Sequence, residues 1–203
     1  MILMRTKERM RKRLKDAKGF TLVEMIVVLA IIAILIALIA PNVAKLIGNA
    51  QSTSDAAKTK TIMTASQTYA TEAVAAGFSM DTGATSAGFT SGEQVLILGS
   101  GKDANDKMKV LFKSGTKTFG KDFMTNTGDS YLPSNTLQGT DKAYVYYSKG
   151  GNAMGVVYCG GTSGTEIKAV SGVAPTEALT GGAAFDNTLV GGTIAASGVI
   201  TKK

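Results

Sequence analysis

The sequence predicts an α+β fold, one long N-terminal helix packed against an antiparallel β-sheet, on three observations. A basic segment is followed by a nearly unbroken apolar run. An amphipathic pattern with three- and four-residue steps continues from that run. Beyond residue 78 the periodicity shortens into strand-like stretches separated by turns, and half of the 24 glycines lie in residues 150–203. The 203 residues fit one ordinary domain plus an extra element.

The charge is concentrated at one end. Residues 1–19 contain all four arginines and four lysines (Lys7, Lys12, Lys15 and Lys18) against only Glu8 and Asp16. The rest of the chain is close to neutral, so the net charge of +7 belongs mostly to this short segment and does not mark a nucleic-acid-binding body. A basic segment ahead of an apolar run is a membrane-topology signal. There is no histidine and a single cysteine, Cys159. That combination excludes an intrachain disulfide, the multi-cysteine and histidine zinc sites, histidine-ligated haem, and any Ser-His or Cys-His nucleophile system. No metal, cofactor or catalytic residue is expected, and the chain is read as a non-enzyme.

Met25 to Ala40 is sixteen consecutive apolar residues, and from Phe20 the run of twenty-one is interrupted only by Thr21 and Glu24. As a helix this run is about 31 Å long, close to the hydrocarbon thickness of a bilayer. The positive-inside rule keeps the basic segment cytoplasmic and places residues 42–203 outside. A secretory signal peptide fits poorly, because a cut after Ala40 leaves Leu38 where a small residue is wanted. A plain signal anchor explains charge and length but leaves Glu24 unexplained. A carboxylate within a span costs about 2.5–3.5 kcal/mol on insertion scales and usually has a partner.

The stretch Lys18-Gly19-Phe20-Thr21-Leu22-Val23-Glu24-Met25-Ile26 resembles the class III signal of type IV prepilins and pseudopilins. The resemblance implies that a prepilin peptidase cuts between Gly19 and Phe20 and methylates the new amine of Phe20. It implies that Glu24 is the carboxylate used in assembly, and the pilin lollipop as the fold. Implied partners are the peptidase, further copies of the chain in a helical homopolymer, the inner-membrane assembly platform and its ATPase. The precursor is then a single-pass cytoplasmic-membrane protein with its N-terminus inside, and the assembled form an extracellular pilus. If the cut is made as the resemblance implies, Glu24 lies four residues, one helical turn, from the new Phe20 amine, so the carboxylate can pair with that cation of its own chain or a neighbour's. Met1, Met4 and Met10 are alternative starts, and Met10 leaves a ten-residue leader.

Pro41 ends the apolar run and, within a helix, removes a backbone hydrogen bond and favours a kink. Gly48 is a second flex point. Beyond Pro41, residues such as Val43, Leu46, Ile47, Ala50, Ala57, Ala65, Tyr69, Ala73 and Ala76 recur at helical steps, with Gly77 as the stop. A helix from Phe20 to Ala76 is about 85 Å long. The expected organisation is a leader at 1–19, a hydrophobic fibre-core half-helix at 20–41, an amphipathic half at 42–77 and a glycine-rich β head at 78–203.

In the head, residues 78–92 read as a loop. Strands are expected at Gln94–Leu98, Lys107–Lys113, Tyr144–Ser148, Met154–Cys159, Glu166–Val170, Thr188–Val190 and Thr193–Ile200. The pair around Lys149-Gly150-Gly151-Asn152 is the best hairpin.

Other motifs fail on spacing. Gly99-Ser100-Gly101-Lys102 lacks the first glycine of a phosphate loop, where Leu96 sits, and has Asp103 in place of Ser or Thr. Asp103, Asn105 and Asp106 miss the EF-hand pattern and read as a polar turn. Leu132-Pro133-Ser134-Asn135-Thr136 has the wrong order for a sortase signal and no apolar tail after it. Lys102, Lys107, Lys109, Lys113, Lys117 and Lys121, interleaved with Phe112 and Phe119, form a basic stretch. It allows weak DNA binding, but a solvated face fits it better. Cys159 reads as a small buried residue.

The reading is a structural subunit of a type IV pilus. The alternatives are a pseudopilin of a type II secretion or DNA-uptake machine and a signal-anchored surface protein that never polymerises.

Overall fold

The computed structural model describes residues 19–125, 130–180 and 183–202. The leader up to Lys18, with its alternative starts, lies outside the described residues. The chain divides into two compact units, residues 1–49 and 50–203.

Leu22–Ala75 forms a single helix, α1, continuous through Pro41 and Gly48. Ala and Leu in its first half favour the helix, against the mild reluctance of the β-branched Ile and Val beside them. Pro41 withholds one backbone donor there, and the Asn42 side-chain amide one residue on donates to the Leu38 carbonyl at 3.4 Å. At the C-terminus Phe78 N–H reaches Ala73 O and Gly77 N–H reaches Val74 O, both at 3.0 Å, with Gly77 at φ 82°. That is a Schellman motif with glycine in the left-handed position, so the expected stop at Gly77 is where the helix ends.

In the first unit the helix buries nothing: Leu22 is 75% exposed, Leu29 65% and Ile36 60%. Among the described residues it is the one helix long and apolar enough to cross a membrane, with a stretch of mean hydropathy 3.3. In the second unit α1 buries Thr59, Ile62, Ala65, Ser66, Tyr69, Ala70 and Ala73. Steps of three and four place them on one face.

After α1 come β1 (Ser79–Met80), a 3₁₀ turn (Thr82–Ala84), β2 (Ala87–Gly88), β3 (Gln94–Leu98), α2 (Lys102–Leu111), β4 (Phe112–Ser114) and β5 (Lys117–Thr118). They are followed by β6 (Met124–Thr125), β7 (Leu132–Pro133), β8 (Lys142–Tyr147), β9 (Ala153–Gly160) and β10 (Glu166–Gly172). The chain then forms 3₁₀ turns at Thr176–Ala178 and Asn187–Leu189, β11 (Thr193–Ile194) and β12 (Ile200–Thr201). The main sheet has seven strands in the order β12-β11-β10-β9-β8-β3-β2, with antiparallel neighbours throughout. The chain is therefore α+β, one long N-terminal helix with an antiparallel sheet.

The sheet is buried on both faces. Leu96, Leu98, Ala143, Val145, Tyr147, Val156 and Tyr158 share one core with the α1 residues and α2. The alternate residues Val95, Tyr144, Tyr146, Val157 and Cys159 share a second core with Ala178, Leu189, Ile194 and Ile200 of the C-terminal segment. Period-two alternation sends neighbours to opposite faces, so a strand covered on both sides reads as continuous apolar sequence. The run Tyr144-Val145-Tyr146-Tyr147 is such a strand.

Some expectations are corrected. Gln94–Leu98 forms a strand with the expected bounds, and the hairpin around Lys149–Asn152 joins β8 to β9. Lys107–Lys113 is mostly helix. Met108, Val110 and Phe112 alternate with lysines as a strand would, but Ala104, Met108 and Leu111 also fall at helical steps, and those are the residues buried in α2. Asp103 acts at the start of α2, where its carboxylate accepts the Gly99 N–H at 2.7 Å. Thr188–Val190 lies largely in a 3₁₀ turn, Thr193–Ile200 contributes only the short β11 and β12, and the expected loop at 78–92 holds β1 and β2.

Candidate functional site

The candidate site is built from the first residues of α1. Gly19, Phe20 and Thr21 precede the helix in non-helical backbone, and Phe20 is 80% exposed. Thr21 occupies the N-cap position. Its hydroxyl accepts the Glu24 N–H at 3.2 Å, while the Glu24 carboxylate accepts the Thr21 N–H at 2.7 Å and the Thr21 hydroxyl at 2.8 Å. This reciprocal arrangement is a capping box, which satisfies two of the backbone donors a helix start leaves open. Sequence reasoning singled out Glu24 and missed Thr21. The signal was present as Thr-x-x-Glu ahead of an apolar run.

Both bonds from Thr21 fall on Oε2 of Glu24. A carboxylate accepts about four hydrogen bonds, so Oε1 remains able to receive a cation. Glu24 is thus held in a defined position, four residues after Phe20 in the chain, with capacity for a charged donor.

Gly19 has no conformational reason to be glycine. It is absent from the left-handed glycines, and a Cβ built on it meets nothing within 4 Å. Gly48 is likewise open around its Cβ position. Along the same helix Ile32, Ile36, Ile39, Val43 and Ile47 line a shallow apolar groove.

The other sequence candidates do not assemble into a site. Of the six lysines from 102 to 121, five face carboxylates: Lys102 Asp106, Lys107 Asp103 at 3.1 Å, Lys109 Asp122 at 2.7 Å, Lys113 Asp81 at 2.5 Å, and Lys121 Glu72. A stretch neutralised in this way presents little net field to a polyanion. The same pairs occupy Asp103 and Asp106. Asn105 is committed to the backbone of Met124, with both bonds at 2.6 Å. Among the described residues no cluster of three potential metal-ligating side chains occurs. Cys159 is fully buried, and burial pushes its thiol pKa up to about 12.

In comparison with known proteins, residues 14–40 match the family model of the prokaryotic N-terminal methylation motif. No curated protein and no solved structure matches the chain. The matched span contains Gly19, Phe20, Thr21 and Glu24 and ends one residue before Pro41.

Proposed function

We infer that this chain is a type IV pilin-like protein, made as a membrane-anchored precursor, and that it is a structural subunit of a type IV pilus. The methylation motif and the long apolar helix support the family and the membrane-held precursor. The finer reading rests chiefly on one observation: a carboxylate fixed by a capping box at the head of an apolar helix with exposed side chains, four residues after an exposed Gly-Phe junction.

In this reading the prepilin peptidase cuts between Gly19 and Phe20 and methylates the Phe20 amine. The methylated amine stays cationic. Removal of the leader puts that cation beside Glu24, on the same chain or a neighbour. Among packed apolar helices an unpaired carboxylate is costly, so the pair sets subunit register. Residues 20–41 leave the bilayer and bury one another in the fibre, at about 25 cal/mol per Å² of apolar surface removed from water. Pro41 and Gly48 supply the local give that packing along a curved path requires. The assembly platform and its ATPase draw the subunit from the membrane, and the head faces the exterior.

The test is the intact mass of the chain recovered from the sheared surface fraction of its own cells. A chain starting at Phe20 and one methyl group heavier than its bare sequence is expected there. Processed chain found only in membranes indicates a pseudopilin, and unprocessed chain leaves only a signal anchor. Glu24→Ala is expected to remove the chain from the sheared fraction while the membrane pool persists. Unchanged fibre yield in that variant would sink the assembly role of Glu24.

A further inference from the structure

The second unit has two cores separated by the sheet, and they differ in how they are closed. The inner core is covered by α1, which contributes Ile62, Tyr69 and Ala73 from one continuous helix. The outer core is covered by Val173–Thr180 and Thr193–Thr201, which supply Ala178, Ile194 and Ile200. These two stretches are joined to each other: Leu179 bridges Ile200, and the Thr180 hydroxyl donates to Ile200 O at 2.8 Å.

Their ties to the rest of the unit can be named singly, beginning with the Val173 N–H, which donates to Met154 O at 3.0 Å. The Glu177 carboxylate accepts the Thr90 N–H at 2.7 Å and the Ser91 N–H at 3.1 Å, reaching the turn between β2 and β3. The Tyr146 hydroxyl donates to Gly198 O at 2.7 Å. β11 meets β10 through one register pair, Glu166 with Thr193, flanked by backbone bonds from the Ile194 N–H to Thr165 O at 3.1 Å, from the Ile167 N–H to Gly192 O at 3.0 Å and from the Gly191 N–H to Ile167 O at 2.8 Å. The centre of the sheet is different in kind, because β8 and β9 pair along their whole lengths and are covered on both faces. Regions held by short ladders open at lower free energy than strands paired along most of their length.

We propose that the cover over the outer sheet face opens as a unit of its own while the helix-side core stays closed, with Glu177 as the latch. Glu177 is exposed, yet its carboxylate holds two backbone donors that lie far away in sequence. Charge-assisted bonds of this kind are stronger than neutral ones. Opening uncovers Val95, Tyr144, Tyr146 and Cys159, the outer side of the sheet. The latch lies wholly in the head and does not depend on the reading of the N-terminal segment.

Cys159 is the only cysteine, fully buried in the outer core, and serves as the reporter. The experiment follows its labelling by a thiol-reactive disulfide in the full chain in detergent micelles, across sub-denaturing urea. Labelling is expected to depend on urea more weakly than global unfolding followed by helical circular dichroism. Glu177→Ala is expected to speed labelling about tenfold with the global midpoint unchanged. Tyr146→Phe, which removes the hydroxyl donated to Gly198, should act in the same direction. Labelling with the urea dependence of global unfolding overturns the proposal. Unchanged labelling in both variants, or a global midpoint that falls in step with the labelling change, overturns it equally.

Discussion

Tyr69 shows how one side chain fastens a helix to its surroundings. Its hydroxyl shares its one proton between Met108 O at 3.0 Å and Lys121 O at 3.1 Å, and its ring meets Phe119, Phe123 and Tyr131 edge-on at centroid distances of 5.1, 5.8 and 5.0 Å. One turn along α1, Glu72 receives the Lys121 ammonium and the Tyr131 hydroxyl. The bonds from Lys121 and Tyr131 hold the Glu72 carboxyl below its ordinary value. A depressed carboxylate stabilises the fold above the unfolded pKa, and that contribution is lost as pH falls through the lower, folded pKa. The Glu72 side chain is 42% exposed, so solvent screening limits the effect to less than about 1 kcal/mol. Wild type is therefore expected to melt higher than Glu72→Gln at pH 7, with the gap closing on acidification below pH ~4. A gap that stays constant from pH 7 to pH 3 would show that the pair contributes nothing through ionisation. The helical step of Tyr69 is legible in the sequence. Its partners, forty to sixty residues away, are not.

At the scale of elements, boundaries set by local chemistry were readable and those set by packing were not. Gly77 is the clearest local case. Its φ of 82° lies in the left-handed region, where a Cβ is strained, although a Cβ there meets no neighbour. Gly77→Ala is therefore expected to cost about 1 kcal/mol in urea unfolding through backbone strain alone. An unchanged midpoint would mean that the Schellman turn relaxes freely. α2 is the opposite case. Lys107 to Phe112 satisfies the strand period and the helix period together, and a short apolar pattern cannot arbitrate between them. What decided was the inner core, which takes in Ala104, Met108 and Leu111 on one helical face. At the N-terminus the capping box was written in Thr21 and Glu24, and it places the helix start at Leu22, two residues after the expected Phe20.

At the scale of the whole molecule, the division near residue 50 separates two physical regimes. From Leu22 the described part of the first unit is helix whose large apolar side chains are exposed, a surface fit for lipid or for other apolar helices. Both cores of the sheet, with their ion pairs, lie in the second. A fragment beginning at Ala50 is therefore expected to fold without detergent and to melt within about 4 °C of the full chain, the shift that roughly 1 kcal/mol produces in a domain of this size. An unfolded far-ultraviolet spectrum for that fragment would mean that the upstream helix is needed for the head to close.

The parts governed by local chemistry and by contrast with solvent are legible in the residues alone. These are the basic N-terminal segment, the apolar span, Glu24 beside a Gly-Phe junction, the stop at Gly77 and the lack of histidine. Each follows from residues close together in the chain or from composition. Only the tertiary structure decided that α2 is a helix and that five of the six lysines meet carboxylates. It also decided that the sheet carries a second core closed by the C-terminal segment. Those outcomes depend on contacts between residues far apart in sequence, such as Glu177 with Thr90 and Ser91, which no local period records.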